Sequence, residues 1–135
     1  MNSEKEKNLQ LLEFLDFQNI HFETNVDLSK KSWIKAGGIF KLFIQPDTFK
    51  KIDDLVLYFK KNNLNFYTVG NISNVIFRDG EIYTPIINLK KYNKIETILD
   101  DKEFSLLRVG AGANISKYSN FISNIMNCSG TEGLI

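Results

Sequence analysis

Thr68-Val69-Gly70-Asn71-Ile72-Ser73-Asn74-Val75-Ile76-Phe77 is a short polar loop between two apolar runs that both read as strands. Strand endings rich in Gly, Ser and Asn let successive backbone N–H groups turn toward one point, and Ser and Asn side chains add donors with little bulk. Such a concavity suits an anion, a pyrophosphate among them. The same residue types dominate ordinary turns for local steric and hydrogen-bonding reasons, and taken alone the loop is better read as a turn.

Upstream, Phe66 to Val69 reads as the strand that delivers this loop. Before it, Phe49, Ile52, Leu55, Val56 and Phe59 share one face of a helix that Asp47 or Thr48 caps and that fades at Asn62-Asn63. Ile39 to Ile44 is a β-prone run closed by Pro46, which suits a buried strand. At the N-terminus, Ser3 and Glu6 form a capping box. Leu9, Leu12 and Leu15 recur at helical spacing, with Phe14 and Phe17 widening the stripe, so a helix is predicted over 4–18.

Downstream, Val75-Ile76-Phe77 and Glu81-Ile82-Tyr83 flank Arg78-Asp79-Gly80, and the Asp-Gly pair predicts a hairpin. Ile95 to Leu99 and Phe104 to Val109 alternate as paired strands around Asp100-Asp101-Lys102. A last helix is predicted over 115–126, with Ile115, Tyr118, Phe121, Ile122 and Ile125 facing a sheet. The class is α+β, with a weak joint near Thr84-Pro85.

At 135 residues the length prior gives one domain, and 43% hydrophobic with 13% aromatic residues argues for a packed globular chain. Seventeen basic and sixteen acidic residues leave +1, which implies no bulk attraction to nucleic acid or a membrane. Lys30-Lys31, Lys60-Lys61 and Lys90-Lys91 read as solvated faces beside nearby carboxylates. The charged N-terminus lacks the apolar core of a signal peptide and no apolar run spans a bilayer, so a cytoplasmic protein is expected. A single Cys128 excludes an internal disulfide and a cysteine-cluster metal site, and the lone His21 has no partner at ligand spacing.

Five segments set the loop in context. Asn25-Val26-Asp27-Leu28-Ser29 precedes Ser32-Trp33-Ile34-Lys35-Ala36-Gly37-Gly38, and the strand ending at Gln45-Pro46 follows. Beyond the loop come Leu107-Arg108-Val109-Gly110-Ala111-Gly112-Ala113 and Gly130-Thr131-Glu132-Gly133-Leu134-Ile135. In this order and spacing, from about Asn25 to Ile135, the chain resembles the first part of the UDP-N-acetylenolpyruvoylglucosamine reductases, also called UDP-N-acetylmuramate dehydrogenases. The double glycine and the Gly-Ala-Gly-Ala run are uninformative singly; the ordered set carries the resemblance.

The resemblance implies the two-lobed FAD-binding fold of the p-cresol methylhydroxylase type, shared with vanillyl-alcohol oxidase, with a complete first lobe and a truncated second. The divisions are 1–24 as helix and linker, 25–84 as the first flavin-binding lobe and 85–135 as the start of the second. Gly70, Asn71, Ile72, Ser73 and Asn74 are expected to wrap the FAD pyrophosphate, Val75 to pack beside it, and Gly110, Ala111, Gly112 and Ala113 to line the flavin from the second lobe. Gly70 and Gly112 would permit close backbone approach. The family has a glycine run where this chain has Asn71 and Ile72, and Ile72 cannot cheaply adopt a positive φ. Trp33 matches an aromatic position before the double glycine and is given a core role.

Members of the family reduce bound FAD with NADPH. They pass the hydride to the enolpyruvyl group of UDP-N-acetylglucosamine enolpyruvate, while an acid protonates the neighbouring carbon, giving UDP-N-acetylmuramate for bacterial peptidoglycan. The family's second glycine-rich loop and its catalytic arginine, serine and glutamate come after the point matched by Ile135. No catalytic residue is therefore assigned here. The chain alone is expected to be inactive, with UDP-sugar and NADPH as partners only if the missing half is supplied. A non-catalytic nucleotide- or flavin-binding module, and a shortened subunit completed by a partner chain, are the alternatives.

Overall fold

The computed structural model describes residues 4–125. Its organising strand is β2 (Ile39–Gln45), which pairs antiparallel with β1 (His21–Asp27) on one side. On the other side it runs parallel to both β4 (Glu81–Ile82) and β5 (Ile86–Asn88), and β3 (Tyr67–Val69) pairs parallel with β5. The order β1-β2-β5-β3, with β4 on β2, makes a five-stranded mixed sheet. A separate antiparallel pair, β6 (Ile95–Asp100) and β7 (Ser105–Val109), follows. The architecture is thus mixed α/β.

Helices α1 (Glu4–Phe17) and α2 (Phe49–Lys61) cover one face of the large sheet. Leu11 and Leu15 of α1 and Leu55 and Phe59 of α2 pack with Leu42 and Ile44 of β2 and Ile87 of β5. Phe14 stacks on Tyr58 at 4.2 Å between ring centroids, joining the two helices. Thr48 caps α2 by accepting from the Lys51 N–H at 3.3 Å. The second cluster gathers Val26, Leu28, Phe40, Phe43, Val69, Ile72, Ile82 and Ile86, so loops and the short 3-10 turn at Leu28–Lys30, rather than α-helices, close that side. Ile86, Ile87 and Asn88 are all buried, as expected for a short parallel strand covered on both faces.

The helix predicted over 4–18, the helix capped at Asp47 or Thr48, the strands predicted at 39–44 and 66–69 and the pairing of 95–99 with 104–109 are all present, with ends shifted by about one residue. The predicted hairpin around Asp79-Gly80 is not. Residues 75–77 form no strand, and β4 pairs with β2 instead. Gly80, at φ +92, presents its carbonyl to the Ile39 N–H at 2.8 Å, and Phe77 packs edge-on against Phe40 at 4.8 Å. A Cβ on Gly38 would stand 2.2 Å from the Gly80 oxygen, so the glycine admits this docking. Tertiary contacts on β2 outweigh the local turn preference.

β1 and β5 are additions to the sequence reading. His21 is exposed at the start of β1. Phe49 is 66% and Ile115 48% exposed, so neither joins the apolar face assigned to its helix. The last helix begins as α3 (Ile115–Asn120) and continues as a π-helical turn over Phe121–Ile125; Ser119 and Ile122 are buried among its described side chains. Ser3, the Glu6 and Ile125 side chains, Met126, Cys128 and Gly130 to Ile135 lie outside the described residues.

Candidate functional site

The loop after β3 is anchored from below by Asn88, which is 3% exposed. Its Nδ2 donates to the Gly70 carbonyl at 2.7 Å, and its Oδ1 accepts from the Lys90 N–H at 3.1 Å. The Leu89 N–H donates to the Val69 carbonyl at 2.8 Å, so the loop and the chain leaving β5 are fixed together. Ile72 has φ +56, contrary to the expectation that a β-branched residue would avoid this region, and its side chain is 5% exposed in the second core cluster. Burial of that side chain holds the left-handed backbone in place. With Ile72 turned inward, Asn71, Ser73 and Asn74 are exposed on the other side.

A Cβ added to Gly70 meets nothing within 4 Å, leaving open space beside the loop. Among the described residues, no protein group accepts a hydrogen bond from the backbone N–H of Asn71, Ser73 or Asn74. Three donors therefore remain unclaimed on a loop whose shape the core enforces.

The opposing wall comes from the chain leaving β7. The Gly110 and Gly112 N–H groups donate to the carbonyls of Lys94 and Tyr92, each at 2.8 Å. Cβ atoms there would stand 2.5 Å from the Tyr92 oxygen and 1.8 Å from the Leu89 oxygen. The glycines let this segment lie flat against residues 89–94. That brings Gly112 and Ala113 across from Asn71, Ser73 and Asn74 in one cleft of about 1600 Å³. Asn114 caps α3 at the cleft edge, accepting from the Ser116 and Lys117 N–H groups at 3.0 and 3.2 Å.

Residues 31–35 supply the remaining wall, including Ser32, Trp33 and Lys35. Trp33 does not have the core role assigned from sequence: it is 83% exposed and lines the cleft. Among the described residues the lining includes Lys31, Lys35, Lys90 and Lys117 and no Asp or Glu. Lys31 bonds Glu23 at 2.8 and 3.0 Å, whereas the other three carry no ion pair among the described residues. Sequence reading treated Lys31 and Lys90 as solvated faces, because doublets such as Lys30-Lys31 do not reveal which member turns toward a cleft. Lys30 instead approaches Asp27 at 3.7 Å. At the base of this loop, the Ser29 hydroxyl, 2.6 Å from the Asp27 carboxylate, holds that carboxyl below the ordinary range.

Five of the expected ligand residues therefore share the cleft: Asn71, Ser73, Asn74, Gly112 and Ala113. Gly70 is not among the lining residues and has open space at its Cβ position, Ile72 points into the core, and Ala111 is exposed. Val75 lines a groove with Tyr67, Phe77 and Arg78, while Gly110 lies beside Phe49, Lys91 and Arg108. Asn88, Lys35 and Lys117 were not identified from sequence, and Trp33 was given only a core role. Among the described residues there is no group of three or more metal-ligating side chains, and no helix is long and apolar enough to cross a membrane.

No protein-family model matches the chain. The UDP-N-acetylenolpyruvoylglucosamine reductase of Clostridium tetani is 30% identical over 132 residues, covering 98% of this chain and 40% of that protein. The protein of the same name from Lactobacillus johnsonii is 33% identical over 107 residues, 79% of this chain and 34% of its own length. That of Listeria innocua is 35% identical over 80 residues, 59% and 27% respectively. The chain is thus a homologue of the UDP-N-acetylenolpyruvoylglucosamine reductases, matched over nearly all of its own length and spanning 40% or less of theirs.

Proposed function

We propose that this chain supplies the FAD-binding part of a flavoenzyme of the UDP-N-acetylenolpyruvoylglucosamine reductase type. Residues 25–84 would form the first lobe of a p-cresol methylhydroxylase-type fold and residues 85–135 the start of the second. The observation that carries this reading is the set of unclaimed N–H donors at Asn71, Ser73 and Asn74, beside the open space at Gly70 and facing four lysines. A dinucleotide pyrophosphate matches that donor set, since backbone N–H groups and ammonium groups both favour anionic oxygen.

In this reading the Asn71 to Asn74 backbone orients the pyrophosphate, and the Ser73 and Asn74 side chains add donors. Lys35, Lys90 and Lys117 attract and neutralise its charge. Gly112 and Ala113 keep the opposing wall thin enough for a planar group to lie along it. When bound, FAD supplies hydride transfer from NADPH toward the enolpyruvyl group of a UDP-sugar, the peptidoglycan-building reaction of the relatives. This chain's residues bind and orient; the groups that protonate the substrate are assigned to the remainder of such an enzyme, in the same polypeptide or in a partner chain. With soluble nucleotide ligands, the assigned compartment is the cytoplasm.

The test is the visible absorption spectrum of the purified chain, followed by titration with FAD read by flavin fluorescence. Saturable one-to-one binding is expected. A folded chain that shows no saturable change overturns the proposal.

A further inference from the structure

We infer that Trp33 is a stacking platform for a planar heteroaromatic ring of the dinucleotide in the lysine-lined cleft; this rests on the FAD reading above. Trp33 is 83% exposed, a large apolar surface left in water, yet the segment carrying it is firmly held. Ser32, buried, donates through its hydroxyl to the Ala36 carbonyl at 2.8 Å and accepts from the Ala36 N–H at 3.2 Å. The Lys31 and Ser32 N–H groups donate to the Leu28 carbonyl at 3.0 and 2.8 Å, and Leu28 is fully buried. Lys35 and Gly37 adopt positive φ of 52° and 131°, closing the turn tightly.

The Trp33 N–H donates to the Ile72 carbonyl at 3.3 Å, joining this turn directly to the expected pyrophosphate loop. The backbone that carries the indole is therefore held at a fixed place, close to the anion donors and in a cleft lined by lysines. A nucleotide needs the same pair of features: charge neutralisation for phosphate and an aromatic face for a ring. Both adenine and isoalloxazine offer that ring chemistry.

Trp33 is the sole tryptophan of the sequence, so its emission reports this position alone. Wild-type, W33F and W33A proteins would be titrated with FAD, following flavin fluorescence for all three and indole emission for the wild type. Parallel wild-type titrations with ADP and with FMN assign the ring. The inference predicts quenched indole emission on FAD binding and a Kd raised about 5- to 100-fold in W33A. W33F should stay within about threefold of wild type, because it keeps an aromatic face. Quenching by ADP assigns the adenine; quenching by FMN assigns the isoalloxazine. Equal urea midpoints for W33A and wild type confirm folding, as expected for so exposed a side chain. FAD binding with unchanged affinity in W33A overturns the stacking role and leaves the flavin site standing. Absence of FAD binding in the wild type overturns both.

Discussion

Ile72 sits at φ +56 with its side chain almost wholly in the second core cluster, so substitution there acts on backbone strain and on packing with opposite signs. Truncating a buried isoleucine to alanine costs about 2–5 kcal/mol, and we take about 3. The left-handed backbone costs about 1–2 kcal/mol for any residue with a Cβ, and alanine retains that cost. Glycine releases it but loses about 0.5–1 kcal/mol through the flexibility of the unfolded chain.

Ile72→Gly should therefore be destabilised by about 2 kcal/mol and Ile72→Ala by about 3. This reverses the usual order, in which glycine is the worse replacement. Val69, equally buried but in a strand, should keep the usual order, with Val69→Gly about 1 kcal/mol below Val69→Ala. Urea unfolding of the four variants at constant m-value reads all of these differences. An Ile72→Gly protein less stable than Ile72→Ala would refute the claim that this residue is held in a strained conformation by burial of its side chain.

Three further outcomes follow from the same geometry. Gly112→Ala should be destabilised by about 1–3 kcal/mol in urea, since its Cβ meets the Leu89 carbonyl at 1.8 Å, whereas Gly70→Ala should stay within about 0.5 kcal/mol. FAD affinity should fall as NaCl rises, and the double change Lys35→Gln and Lys90→Gln should flatten that dependence, as titrations at two salt concentrations will show. Asp27, Asp47, Glu81 and Asp101 all have lowered carboxyl pKa values, chiefly through hydrogen bonds from Ser29, Lys51, Lys41 and the Phe104 N–H respectively. Between folded and unfolded values the unfolded chain holds more protons. Stability is therefore complete above the ordinary carboxylate range and declines as pH drops below about 4; Asp27→Asn should shallow that decline in acid-unfolding curves.

The elements legible in the sequence were those whose signal is local and long enough. α2 has its Thr48 cap and the apolar set around Leu55 and Phe59, and β2 has a β-prone run stopped by Pro46. β5 has only Ile86, Ile87 and Asn88, too few to show a period, and is a strand because β2 and β3 flank it. The Asp79-Gly80 turn signal was overridden by the docking of Gly80 on Gly38 and Ile39. In the site, glycine and asparagine content pointed to the loop at 70–74. Asn88 carried no local mark and Trp33 only its place before the double glycine, because the role of each depends on a partner 18 or 39 positions away: Gly70 for Asn88, Ile72 for Trp33. The Gly110 and Gly112 signal was visible, but their immediate reason is close packing on residues 89–94.

The most direct measurement is the Kd for FAD of the wild-type chain beside that of Gly70→Val, with urea midpoints for both. A side chain at Gly70 enters the open space next to the unclaimed donors and touches no other part of the fold at its Cβ. Saturable one-to-one binding by the wild type is expected, with at least about tenfold weaker binding by Gly70→Val and nearly equal stabilities. A folded wild type that does not bind FAD, or a Gly70→Val chain that binds it equally well, would contradict the assignment of this loop to the flavin pyrophosphate.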